Sequence, residues 1–291
     1  SDLPGFKLML SKYSYIIGLE PSKGARSPVL WNKAYKTLGI DCSMLPIDIP
    51  DLPSLRSTFQ NLVSDESCLG GCIAFPYKEH FLQLIGLSNV DVDASSIGAI
   101  NCFYRNANGT FSGLNTDYIA FRKHFLSSCS ELLKSSVSEI SVVGFGGVGK
   151  AVLQALKNIS KDFDFRINLV TTKHDLCVGS DINIVNYNDR FAAYSASQII
   201  INCTTLGCNN LSSKSIFNES QLGSLSKCLC FYDLIYTPLQ TLNMSLALTA
   251  SSSMIIYNGL SVNLFQAVEA FQVVNSISYS DYHLVLSSMQ N

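Results

Sequence analysis

Apolar positions along the chain fall into short β-branched runs separated by amphipathic segments, and the rhythm restarts near the middle. Residues 13–19 read as a buried strand, and Pro28, at home in a first helical turn, opens a helix through about Leu38. Residues 42–49 predict a second strand and 52–63 a helix. A third strand over 72–75 is stopped by Pro76, and a helix follows over 78–85. Segments 97–104 and 109–114 flank Asn106-Ala-Asn-Gly109, a hairpin signal. Residues 117–133 read as one long helix, and the Ser-rich tract 127–138 marks a joint. From Ile140 strands are predicted near 140–144, 166–171, 198–203, 229–235 and 253–256, with helices between them. The loop 208–215 is expected to be solvated, and closing helices lie near 262–274 and 280–289.

This alternation predicts an α/β protein of two domains, 1–117 and 118–291, with a cleft between them. The last helices, near 262–289, are placed to pack back on the first domain. The second domain opens on Ile140-Ser-Val-Val-Gly-Phe-Gly-Gly-Val-Gly-Lys-Ala-Val152. A β-branched strand runs into Gly144, Gly146 and Gly149, and Ala151, Val152, Ala155 and Leu156 continue as a helix face. In a Rossmann-like turn the first glycine permits the bend, the second admits a pyrophosphate, and the third lets helix and strand approach. The helix N-terminus offers amides and a partial positive charge to an anion. The same letters stop one residue short of a mononucleotide phosphate loop, because Ala151 stands where a magnesium-binding Ser or Thr is needed. A glycine turn that packs tightly and binds nothing is the remaining alternative.

Composition narrows the partners. The chain has 291 residues, 47% hydrophobic and only 14% charged, which indicates a large core and a surface of neutral polar residues. A net charge of −2 without a basic run argues against nucleic acid. No apolar stretch reaches membrane-spanning length, and no signal-peptide pattern opens the chain. The ten cysteines include no C-x-x-C pair, and the four histidines are scattered, so reduced thiols, a cytoplasmic setting and no metal are expected. A start at Ser1-Asp2 rather than Met leads to the expectation of a trimmed chain or an excised part of a longer polypeptide.

A hydride-transferring site also needs groups that handle a proton, and strand ends of the first domain supply candidates. Phe75-Pro-Tyr-Lys78-Glu sets a lysine after a buried strand. Gly98-Ala-Ile-Asn101 ends in an amide, and Gly113-Leu-Asn115-Thr116-Asp117 ends in three polar residues. Each has a plain structural alternative: a first-turn lysine, a turn-capping asparagine, an N-cap aspartate.

Taken in order, these segments resemble the shikimate dehydrogenase family, including its quinate/shikimate relatives, from Gly18 to Gln266. Gly18-Leu-Glu-Pro21 with Arg26-Ser27-Pro28 is similar to its N-terminal substrate loop, and Phe75-Pro-Tyr-Lys78-Glu to its lysine segment. Ile97-Gly-Ala-Ile-Asn101 and Gly113-Leu-Asn-Thr-Asp117 are similar to its asparagine and aspartate segments. Further matches are Gly144 to Lys150, Ile201-Asn-Cys-Thr204-Thr-Leu-Gly207, Tyr232-Asp-Leu-Ile-Tyr236-Thr-Pro238, Asn258-Gly259-Leu260 and Gln266-Ala267.

The resemblance implies a substrate domain followed by a dinucleotide domain, and NADP-dependent interconversion of 3-dehydroshikimate and shikimate. By it, Lys78 and Asp117 are the catalytic pair. Asn101 and Gln266 hydrogen-bond ring hydroxyls, and Ser27 and Tyr236 bind the substrate carboxylate. Gly144, Gly146, Gly147, Val148, Gly149, Thr171, Thr172, Lys173, Thr204 and Gly259 hold the cofactor. A free lysine has a pKa of about 10.4, so Lys78 either accepts a proton after desolvation or stays charged and stabilises a developing alkoxide. Partners implied are the small ring acid, shikimate or quinate, with neither nucleic acid nor membrane, in a monomer or homodimer.

Departures bear on the substrate. Ala25 stands where the family usually has a second hydroxyl, and Cys72-Ile-Ala74 where it offers Asn and Thr. At about 0.5–1.5 kcal/mol per lost hydrogen bond, three losses weaken shikimate binding on the order of a hundredfold or redirect the pocket to another hydroxy-acid. The loop is one residue longer, with Ser22 and Arg26 as compensating candidates. After the second nucleotide-domain strand the chain reads Thr171-Thr172-Lys173-His-Asp175. Lys173 favours NADP through a 2′-phosphate, and Asp175 keeps NAD open. A quinate or other cyclic hydroxy-acid dehydrogenase, an inactive sensor that kept the fold, and one domain of a multifunctional aromatic-pathway polypeptide are the rival readings.

Overall fold

A computed structural model describes residues 11–290, so the opening Ser1-Asp2 lies outside the described residues. The chain divides into two compact units, 1–116 together with 267–291, and 117–266.

The first unit is built on a five-stranded sheet. In chain order its elements are β1 (Lys12–Gly18), α1 (Arg26–Leu38), β2 (Cys42–Asp48), α2 (Leu52–Ser64), β3 (Cys68–Ile73), α3 (Lys78–Ile85), α4 (Val92–Ile97), β4 (Cys102–Arg105) and β5 (Phe111–Leu114). The spatial order is β2-β1-β3-β4-β5, parallel from β2 to β3 and antiparallel beyond. Ile17, Ile73, Phe81, Phe103 and Phe111 form a core under α2 and α3. Trp31 and Tyr35 of α1 pack on Phe271, with ring centroids 5.2 and 4.9 Å away.

Arg105 ties this unit's irregular segments together. Its Nε donates to the Cys68 carbonyl at 2.7 Å, Nη1 to Val63 and Gly109 at 3.1 and 2.7 Å, and Nη2 to Leu62 and Asp65 at 2.6 and 2.9 Å. The guanidinium also lies 4.4 Å from the Phe111 ring centroid. Two of these carbonyls belong to the last turn of α2, where Leu62 also accepts from the capping Asp65 N–H at 3.3 Å. Arg105→Met, which keeps the stem and removes the fork, is expected to cost about 3 kcal/mol of stability. Equilibrium denaturation reads this directly, and a loss below about 1 kcal/mol would contradict the account.

In the second unit α5 (Thr116–Ser135) leads to β6 (Glu139–Val143), α6 (Gly147–Ile159), β7 (Arg166–Thr171), β8 (Ile182–Asn186), α7 (Arg190–Ala196) and β9 (Ile199–Asn202). Then come β10 (Cys230–Asp233), α8 (Leu242–Ala250), β11 (Ile255–Asn258) and the start of α9 (Leu260–Val274), whose residues from Ala267 on belong to the first unit, as does α10 (Tyr282–Gln290). Six parallel strands run β11-β10-β9-β6-β7-β8, the doubly wound order in which ligands bind beyond the carboxyl ends of the strands. Every residue of β9 is buried, as a central strand covered on both faces requires. α6 turns Val152, Leu153, Ala155, Leu156 and Ile159 inward.

Several boundaries differ from those read in the sequence. The 97–104 segment divides into the end of α4 and the start of β4, because Gly98 takes a left-handed conformation (φ 74°) and caps the helix. β3 begins at Cys68 rather than Cys72, and β11 lies two residues later than expected. β8 was not expected: it is an edge strand whose outer positions are exposed, tied in by Asn183 Nδ2 donating to Asn168 Oδ1 at 2.7 Å. Among the described residues no helix is long and apolar enough to cross a membrane, and no group of three His, Cys, Asp or Glu could hold a metal.

Candidate active site

In the first unit the candidates gather at the carboxyl ends of β1 and β3. The loop after Gly18 is fastened by Leu19 N–H donating to the Phe75 carbonyl at 3.2 Å and Ile49 N–H to Gly18 at 2.8 Å. Ser27 is buried in the first turn of α1. Ser22, one of the two compensating candidates, is hydrogen-bonded to Asp48. Its N–H donates to Asp48 Oδ1 at 3.0 Å and its hydroxyl to the same carboxylate at the end of β2.

Lys78 is the first residue of α3 and is half-buried. Its carbonyl accepts from Ile100 N–H at 3.2 Å, which sets the start of α3 beside Asn101. Asn101 is buried, and its Oδ1 accepts from Thr116 N–H and Oγ1 at 2.6 and 3.1 Å while Nδ2 donates to Thr116 Oγ1 at 2.9 Å. Both lone pairs of the amide oxygen are engaged, so what Asn101 can offer a ligand is its second N–H, a donor.

The second unit gathers the rest. Gly144 has φ 98°, and a side chain there would meet Thr204 Cγ2 at 2.8 Å. A Cβ on Gly149 would stand 2.2 Å from the Gly144 carbonyl oxygen, so bare backbone is required where α6 leaves the strand. Gly146 faces open space, with no atom within 4 Å of an added Cβ, and no side chain caps α6. The first amides of α6 at Gly147 and Val148 therefore suit an anion. Burial pushes the Cys203 thiol well above its ordinary pKa, so it packs beneath this loop as a small apolar group.

Two lysines flank the loop. Lys173 Nζ donates to the Phe145 carbonyl at 2.8 Å and lies 5.7 Å from its ring centroid, and Lys150 Nζ lies 5.8 Å from the same ring. Thr171 is buried and accepts from Lys173 N–H at 3.0 Å, while Thr172 is exposed. Lys150 and Phe145 were not among the sequence candidates. The signal for them was a basic residue in the first helical turn and an aromatic between the glycines.

Asp117, Tyr236, Val148 and Gly259 line one cavity, together with Phe121, Val152, Leu234, Val262 and Asn263. Thr204 donates from N–H and Oγ1 to Asn202 Oδ1 at 3.0 and 2.7 Å. Gln266 is half-buried on α9, the last residue of this unit.

Known proteins are similar to this chain in sequence and in fold. A sequence model of the shikimate dehydrogenase substrate binding domain matches residues 16–103. The shikimate dehydrogenase (NADP(+)) of Paramagnetospirillum magneticum is 28% identical over 257 residues, 87% of this chain and 88% of its own. The crystal structure of shikimate dehydrogenase from Aquifex aeolicus superposes with a TM-score of 0.78 at 26% identity, covering 97% of this chain and 98% of that one. Quinate dehydrogenase from Corynebacterium glutamicum, solved with NAD, has the same fold (TM-score 0.80, 20% identity, 96% and 99% covered). With two units of the expected architecture, the chain is similar along nearly its whole length to shikimate dehydrogenases.

Proposed function

We propose that this protein is an NADP-dependent shikimate dehydrogenase that interconverts 3-dehydroshikimate and shikimate in aromatic amino-acid biosynthesis. The observation that carries the reading is the glycine loop, whose backbone at Gly144, Gly146 and Gly149 is bare where a pyrophosphate would approach α6. When bound, the nicotinamide accepts or donates the hydride. Lys78 and Asp117 handle the proton of the ring hydroxyl as its carbon becomes a ketone. Asn101 donates its remaining N–H to a ring hydroxyl, Gln266 reads another, and Ser27 and Tyr236 hold the carboxylate. Gly147, Val148, Thr171, Thr172, Thr204 and Gly259 complete the nucleotide site. Lys173, with Lys150 beside it, supports NADP over NAD, since two ammonium groups beside the loop favour an additional phosphate. The ten free thiols suit the reducing cytoplasm.

A steady-state screen crossing shikimate and quinate with NADP and NAD tests this. Shikimate with NADP is expected to give the highest kcat/KM, by about tenfold or more over the other pairs. Absence of NADP or NAD reduction with either acid, from neutral to alkaline pH, would sink the assignment. Ligand binding without turnover would turn it toward a sensor.

A further inference from the structure

Asp233 closes β10 and is fully buried. Its Oδ1 accepts from Asn202 Nδ2 at 3.0 Å and Ile235 N–H at 3.3 Å. Its Oδ2 accepts from Thr241 Oγ1 at 2.6 Å and Asn243 Nδ2 at 3.1 Å. A carboxylate has about four lone-pair positions, and four donors fill them, so the geometry calls for the ionised form. Burial pushes the Asp233 carboxyl above its ordinary pKa, and the four donors pull the other way. A buried charge held by neutral donors is a costly way to join two strands, and apolar residues of similar size often do as well. What the charge secures is to be sought at the far ends of its donors.

Two arms lead from it. Asn202 ends β9, and its Oδ1 takes both the N–H and the hydroxyl of Thr204. Thr204 in turn abuts Gly144 of the glycine loop. On the other side Ile235 N–H and Thr241 Oγ1 clamp the segment that carries Tyr236 at both of its ends, and Thr241 also accepts from Met244 N–H at 3.2 Å as the N-cap of α8. Asn243 Nδ2 joins the arms, donating to the Leu206 carbonyl at 2.8 Å as well as to Asp233.

We infer that Asp233 is a positioning residue that sets two ligand-facing loops from one buried charge. Its Asn202 arm places Thr204 for the nucleotide, and its Thr241 arm places Tyr236 for the substrate carboxylate. This rests on the roles given above to Thr204 and Tyr236. Neither Asp233 nor Asn202 touches a ligand in this scheme.

The test separates the arms in the full-length protein. Asn202→Ala cuts the first, Thr241→Val the second, and Asp233→Asn both, with affinities for NADP and for shikimate read by calorimetric titration beside kcat and Tm. Asn202→Ala is expected to weaken NADP about tenfold and shikimate less than about twofold, and Thr241→Val the reverse. Asp233→Asn weakens both and lowers kcat. Single-arm variants that move the two affinities together, or move only Tm, would overturn the inference, and they decide it even if Asp233→Asn does not fold. Wild-type protein that binds both ligands but turns over neither acid defeats the dehydrogenase reading while the affinities still decide the arms. Wild-type protein that binds neither ligand defeats both.

Discussion

Lys78→Ala is expected to lower kcat for shikimate oxidation by about 10²–10⁴-fold while NADP affinity stays within about twofold. The carbonyl of this residue accepts from Ile100 N–H and links the start of α3 to the Asn101 segment. Alanine keeps that carbonyl and favours the helix, so the variant removes the ammonium group with little disturbance of the backbone. Loss of turnover with retained nucleotide binding places the effect of the side chain on the chemical step rather than on the nucleotide site. A kcat within about tenfold of wild type would remove Lys78 from the proton-handling pair. Rate measurements with matched NADP titrations distinguish the outcomes.

Substitution of the third glycine of the loop should do more. Gly149→Ala brings a methyl group to 2.2 Å from the Gly144 carbonyl oxygen and 2.9 Å from its carbonyl carbon, both main-chain atoms that no rotamer change can move. The first turn of α6 must shift away from β6, and NADP affinity is expected to fall by about a hundredfold or more, with a loss of about 2–3 kcal/mol in stability. Gly146→Ala is the informative partner, because its Cβ meets no atom within 4 Å. That variant should keep its stability within about 0.5 kcal/mol. Any loss of affinity there measures how closely the nucleotide approaches. Equal effects of the two substitutions on the denaturation midpoint would contradict this division.

The parts of the fold legible in the sequence were those governed by neighbours along the chain. Pro76 stops a strand and α3 starts at Lys78, because proline punctuation acts over a few residues. The glycine loop and the strand that became β9 were equally local. β3 was read too short because Gly70 and Gly71 look like a break. In the sheet they are required, since side chains there would strike the Phe103 and Tyr15 carbonyl oxygens at 2.2 and 1.8 Å. β8 escaped because its two Asn residues, Asn183 and Asn186, resemble a loop until Asn168 meets Asn183 across the ladder. Within the candidate site, Lys173 was legible as a cation after a strand, but its placement on Phe145 was not. The Asp233 network was hidden for the same reason. Asn202 and Asp233 are 31 residues apart, and only parallel pairing of β9 with β10 brings them side by side.

The first unit is discontinuous in sequence, and that has a consequence for biosynthesis. Trp31 and Tyr35 are fully or almost fully buried, and Phe271, on which they pack, is made some 240 residues after Trp31 (271 − 31 = 240). A ribosome therefore releases the whole six-stranded sheet before it supplies the segment that covers this face of α1. The usual order, in which the N-terminal portion of a chain matures first during synthesis, is inverted here. Until the final helices emerge, the Trp31 and Tyr35 rings lack the Phe271 ring on which they pack in the folded unit.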